Sequence, residues 1–124
     1  KTVVFVTHDF DEAARVGDRI AILRQGRLVQ CGTAEELMYD PKDDYVKAFT
    51  ADVDRNRIVR AERSMARGEA IGIDSLLPVT ASLRDVSQAF AKGASVLGFH
   101  DDANKTIGFM RRERLGDALA AAAL

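Results

Sequence analysis

His8 is the residue of this chain with the plainest chemical use. It stands in "TVVFVTHDFDEAARVG", behind an unbroken apolar run and ahead of three carboxylates, Asp9, Asp11 and Glu12. An imidazole at the end of a strand in an open α/β sheet points toward the crevice where ligands bind. There it can donate to a phosphate oxygen or contact a water poised for attack, according to its tautomer. A histidine in that place can equally do no more than bond a nearby backbone carbonyl. A metal site built on "HDFD" is disfavoured, because His100 is the only other histidine and no cysteine lies close. The acidic trio has its own explanation, since the helix dipole favours carboxylates at a helix start. A second cluster, Arg111, Arg112 and Arg114 in "GFMRRERL", can hold an anion, lie against acidic lipid head groups or only solubilise a helix start.

The elements that position these residues follow from local pattern. "TVVFVT" has the β-branched and aromatic composition of a strand buried on both faces, as in a parallel sheet. Asp9 reads as the cap of a short helix that stops at Gly17. "DRIAILRQGRLVQCG" reads as a hairpin turning at Gln25-Gly26. Thr33 with Glu36 opens a second helix that Pro41 ends, and "DDYVKAFTAD" forms a third with Tyr45, Val46 and Phe49 on one face. The Tyr39, Tyr45 and Phe49 set is read as core rather than as a platform for a base. Residues 53–74 hold five arginines and few large apolar side chains, which reads as a linker. "SLRDVSQAFAKG" is a helix capped by Ser82, with "LLPV" a short strand before it. "SVLGFH" and "TIGFM" are strands around the polar turn "DDANK", with His100 flanking that turn, and an alanine-rich helix ends the chain.

Composition bounds the classes. The chain has 124 residues, 47% of them hydrophobic and 30% charged, with a formal net charge of −1. That balance gives no electrostatic argument for nucleic acid, and the arginines of 55–67 alternate with acidic and apolar residues as on a solvated face. One cysteine, Cys31, excludes an intrachain disulfide framework and fits a reducing compartment. No apolar run reaches the roughly 18 residues of a membrane span.

The run "VVFVTHDFDEAARVGDRIAILRQGRLVQCGTAEEL" resembles the last part of an ATP-binding-cassette (ABC) ATPase domain. There a strand ends in Thr-His-Asp, an acidic-Glu-Ala helix and a "DRI" hairpin follow, and the next helix opens with Thr/Ser-x-x-Glu. The continuation "DYVKAFTADVDR" is similar to the ATPase subunits of glycine betaine/proline (osmoprotectant) importers. Residues 75–124 resemble a cystathionine-β-synthase-type (CBS) regulatory motif in element order and in the strand before the last helix. The resemblance implies an α/β fold: the C-terminal piece of a P-loop ATPase domain over 1–52, a linker over 53–74 and a CBS-like motif over 75–124. It makes His8 the switch histidine, in contact with the γ-phosphate of ATP. CBS motifs that bind adenosine nucleotides end in Gly-h-h-Thr/Ser-x-x-Asp; here Arg111 and Arg114 stand at the last two marked positions, so the usual ribose contact is lost. Arg111, Arg112 and Arg114 are instead expected to form a cationic patch for an anionic surface, responsive to ionic strength through screening.

No Gly-Lys-Ser/Thr loop occurs in the 124 residues, and neither does the Leu-Ser-Gly-Gly-Gln signature. A chain that begins at Lys1, inside what reads as a strand, is therefore expected to be the remnant of a longer protein. ATP and Mg belong to that parent, and the isolated chain is expected to bind neither and to hydrolyse no ATP. The expected partners are a second ATPase subunit, a transmembrane permease and an anionic lipid surface, with no nucleic acid. The expected place is the cytoplasmic face of the cell membrane, reached through the permease. Two other classes compete: a stand-alone CBS-like sensor of ligand or ionic strength without ATPase activity, and an interaction module docking through an exposed sheet edge.

Overall fold

Two apolar runs meeting at Gln25-Gly26 set the first hairpin. In the computed structural model, which describes residues 1–123, both turn residues have positive φ, 51° and 74°. That pair of signs matches the right-handed twist of the flanking strands, β1 (Ile20–Arg24) and β2 (Arg27–Gly32). The structure divides into two compact units, Lys1–Asp54 and Arg55–Leu124, each an assembly of helices and strands.

In the first unit, α1 (Phe10–Val16) is capped by Asp9, whose side chain accepts from the Asp11 and Glu12 amides. Next come the hairpin, α2 (Ala34–Tyr39) and α3 (Asp44–Phe49). Thr33 and Glu36 complete a capping box, each side chain accepting from the other residue's backbone amide. Gln30 mimics backbone to hold the next turn: its amide nitrogen donates to the Asp40 carbonyl and its oxygen accepts from the Lys42 amide. Phe10, Ile20, Ile22, Leu37, Met38 and Val46 form the small core. Phe10 meets the Phe49 ring edge-on with centroids 6.1 Å apart, a favoured aromatic geometry.

The strand expected over residues 2–7 is absent. A strand exists through ladder hydrogen bonds to a neighbour, and no described residue supplies one. Val3, Val4 and Val6 are 82–88% exposed and Phe5 is 55% exposed.

The second unit starts inside the stretch read as a linker. α4 (Arg55–Ile58), a 3₁₀ turn (Ala61–Arg63) and β3 (Ala66–Arg67) all fall there. Ile58, Val59, Ala61 and Met65 are buried, so the arginines between them point away from an apolar seam. β4 (Ser75–Pro78), α5 (Leu83–Ala91), β5 (Val96–His100) and β6 (Thr106–Arg111) follow, then a 3₁₀ turn (Arg112–Arg114) and α6 (Leu115–Ala123). The sheet order is β3-β6-β5-β4, with β4 parallel to β5 and the other pairs antiparallel. The parallel pair needs a crossover, and α5 supplies it. Leu83, Val86 and Phe90 form the buried stripe of α5, which packs on β5 and α6. Leu97 and Phe99 of β5, with Met110 of β6, are fully or almost fully buried. Gly108 lets β3 approach β6: a Cβ there would stand 2.7 Å from the Ala66 carbonyl and from the Met65 sulfur.

Candidate functional site

His8 is exposed, between a half-buried Thr7 and the cap residue Asp9. The residues around it are tied by sequence-local hydrogen bonds. The Thr7 hydroxyl donates to Glu12 Oε2 at 2.6 Å and accepts from the Asp9 amide at 3.1 Å. Asp9 Oδ1 accepts from the Asp11 amide at 2.9 Å and the Glu12 amide at 3.3 Å. Asp11 also pairs with Arg15 one turn on, at 3.4 Å. The carboxylates beside His8 thus serve the start of α1, as the dipole argument requires. The imbalance is useful chemically: the acidic groups are engaged by the helix while the imidazole faces outward. Among the described residues no group of three or more His, Cys, Asp or Glu side chains could hold a metal ion.

The three arginines of the second cluster make different contacts. Arg112 folds back onto the end of α5: its Nη2 donates to the Phe90 carbonyl at 2.9 Å, and its Nε to the Ala94 carbonyl at 3.0 Å. Nη2 reaches the Ala94 carbonyl as well. Phe90 O lies in the last turn of α5, where it also accepts from the Gly93 amide at 3.1 Å, and a guanidinium suits the negative end of the dipole there. Arg111 lies over the Phe109 ring, 5.7 Å from its centroid, and Arg114 pairs with Asp117 at 3.4 Å with both side chains largely exposed. Arg112 is tied to backbone in this way, and Arg111, Arg112 and Arg114 are all exposed. Arg112 finds two backbone carbonyls 18 and 22 residues away, which no local pattern announces.

Asp74 carries no local sequence signal of its role. Its carboxylate accepts from the Ser95 amide at 2.7 Å and the Val96 amide at 3.0 Å, clamping the segment before β4 to the start of β5. Those two amides hold its carboxyl below the usual carboxylate range, Ser95 foremost, and the Arg112 charge adds to them. An open groove of about 570 Å³ lies between β4 and α5, lined by Ser75, Leu77, Thr80, Asp85, Gln88 and Lys92. Asp85 is already engaged there by Ser82 in a capping box. His100 flanks the β5–β6 turn, its Nδ1 3.0 Å from the Asp101 carbonyl oxygen. Tyr45 and Phe49 form a partly exposed face, with the Arg24 guanidinium 4.8 Å from the Tyr45 centroid. No helix is long and apolar enough to cross a membrane among the described residues.

No protein-family profile matches the chain. Individual proteins do. The glycine betaine transport ATP-binding protein OpuAA of Bacillus subtilis is 46% identical over 74 residues, 60% of this chain and 18% of that protein. The trimethylamine N-oxide transport system ATP-binding protein TmoW of Ruegeria pomeroyi is 34% identical over 119 residues, 96% of this chain and 35% of its own length. The osmoprotectant import ATP-binding protein OsmV of Salmonella typhimurium is 32% identical over 122 residues, 95% of this chain and 31% of its own. The chain spans well under half the length of each of these relatives.

Proposed function

This chain matches part of the ATP-binding subunits of glycine betaine/proline osmoprotectant ABC importers, and from that premise we propose that it supplies such a subunit with its switch histidine and a regulatory module. The observation that carries the reading is the 46% identity over 74 residues to a glycine betaine transport ATP-binding protein. The site is consistent with it. His8 is exposed at the start of α1, with its neighbouring carboxylates engaged by the helix. An imidazole so placed can contact the γ-phosphate of ATP, a role realised mainly as charge moves in the transition state. The loop that holds the remaining phosphates and the carboxylates that hold Mg have no counterpart among these 124 residues. The chemistry therefore belongs to the whole subunit, working as a pair of ATPase subunits beneath a permease on the cytoplasmic face of the membrane.

Residues 75–124 are assigned the CBS-like regulatory role. The order β4-α5-β5-β6-α6, with its parallel and antiparallel pairs, supports that assignment. Arg111, Arg112 and Arg114, all exposed, are the cations offered to an anionic surface. Three such charges make a weak attachment, worth about 1 kcal/mol each near an acidic bilayer and lost as salt screens them. The test is transport by the full-length subunit with its permease in proteoliposomes. ATP-driven uptake of glycine betaine is expected, abolished by His8→Ala; uptake that survives His8→Ala would overturn the assignment.

A further inference from the structure

The hydrogen bonds around His8 form a closed circuit, and the residue they enclose is His8 itself. Thr7 is the pivot. Its hydroxyl has one proton to give and lone pairs to accept with, and both capacities are in use. The proton goes to Glu12 Oε2 at 2.6 Å, and the oxygen takes the Asp9 amide at 3.1 Å. Glu12 is itself anchored by its own amide on Asp9 Oδ1, so the circuit returns to its start through the first turn of α1. The Asp9 N–H belongs to the peptide plane that joins His8 to Asp9. Fixing that N–H fixes ψ of His8, and with it the direction in which the Cα–Cβ bond leaves the backbone. No side chain in the circuit comes from further than five residues away, so it is built within residues 7–12.

From this geometry we infer that Thr7 and Glu12 are positioning residues for His8: the Thr7 hydroxyl, held by the Glu12 carboxylate, sets the peptide plane that aims the imidazole. The inference rests on the reading of His8 as a γ-phosphate contact and deepens it. Plain helix capping does not account for the Thr7–Glu12 bond, because Asp9 already serves the Asp11 and Glu12 amides. A misaimed catalytic group loses rate steeply even when every residue is present. The loss falls on turnover, since the phosphates are held elsewhere in the subunit.

The experiment measures steady-state ATP turnover in the full-length subunit carrying this sequence, with amide hydrogen exchange of the 124-residue chain alongside. Thr7→Val is expected to lower kcat roughly tenfold with the KM for ATP within about twofold. Thr7→Ser restores the hydroxyl and is expected to stay within about twofold of the native rate, as is Glu12→Gln, whose amide oxygen still accepts; Glu12→Leu is expected to follow Thr7→Val. In a His8→Ala background, Thr7→Val is expected to add no further loss, because it acts through the imidazole. In the 124-residue chain, Thr7→Val is expected to speed exchange at the Asp9 amide. Native turnover in Thr7→Val beside a dead His8→Ala would overturn the inference and leave the role of His8 standing. Equal losses from Thr7→Val with and without His8 would reduce Thr7 to a fold-stabilising residue and also overturn it. Unimpaired turnover in His8→Ala would remove the histidine's role and the inference together. If Thr7→Val fails to fold, the contrast of Glu12→Gln with Glu12→Leu decides the matter by the same criteria.

Discussion

The two units solve the burial problem differently. Arg55–Leu124 closes a four-stranded mixed sheet under helices, and Leu83, Val86, Leu97 and Phe99 are wholly buried there. Lys1–Asp54 has a two-stranded hairpin and three short helices, and it leaves Val3, Val4, Phe5 and Val6 open to water. A two-stranded ribbon is marginal by itself, whereas three or more strands with a covered face can hold their own core. The chemistry proposed above sits in the less buried unit, next to its exposed segment. That placement agrees with the general rule that functional residues sit on segments of low local stability, positioned by a firmer scaffold.

The contrast can be broken most directly at one apolar residue in each unit. Leu97→Ala empties a site walled by β4, β6 and α5 and is expected to cost about 2–5 kcal/mol. Val6→Lys exposes nothing new, is expected to change stability by less than about 0.5 kcal/mol, and should reduce self-association of the chain by charging an open apolar segment. Chemical denaturation together with sedimentation of both variants checks the pair. A large cost from Val6→Lys would mean that the segment is covered after all.

A smaller effect sharpens the account of the arginines. Arg112→Gln removes charge-assisted bonds to the Phe90 and Ala94 carbonyls and is expected to destabilise the second unit by about 1–3 kcal/mol. Arg111→Gln and Arg114→Gln alter exposed groups and are expected to cost less than about 0.5 kcal/mol each. Thermal unfolding of the three variants ranks them. Equal costs would contradict the distinct roles of the three side chains.

The smallest effect depends on pH. The folded-state pKa of Asp74 is lowered, first by the Ser95 amide and then by the Val96 amide. A depressed carboxyl contributes stability at pH values above its unfolded-state pKa, and that contribution is lost as pH falls through the folded value. Asp74→Asn is therefore expected to lower the melting temperature slightly near neutrality and to flatten its decline in acid. Melting curves taken from neutral pH downward give the test. An unchanged acid slope would remove Asp74 from the linkage.

What the sequence disclosed was local. Thr33 with Glu36, the Ser82 cap and Gln25-Gly26 each act within four residues, and each forms the cap or turn expected of it. His8 was singled out differently, because "THDFDEAARVG" resembles a family motif, while its local chemistry alone left a plain backbone contact open. What stayed hidden depends on distant partners. Arg112 meets carbonyls 18 and 22 residues back, Asp74 meets amides 21 and 22 residues on, and Ala66 pairs with Phe109. The apparent linker had few large side chains because small and medium residues, among them Ile58, Val59, Ala61 and Met65, were enough to seat it. "TVVFVT" shows the opposite case: its composition announced a strand, and composition alone cannot supply a ladder partner.

The proposal that His8 acts on the γ-phosphate during turnover, and not in holding ATP, is tested most directly by measuring nucleotide binding and single-turnover hydrolysis separately in the full-length His8→Ala subunit. ATP affinity within about threefold of native is expected, with hydrolysis slowed by roughly a hundredfold or more, the pattern of a contact made chiefly in the transition state. Equal losses of affinity and rate, or a native rate, would contradict it.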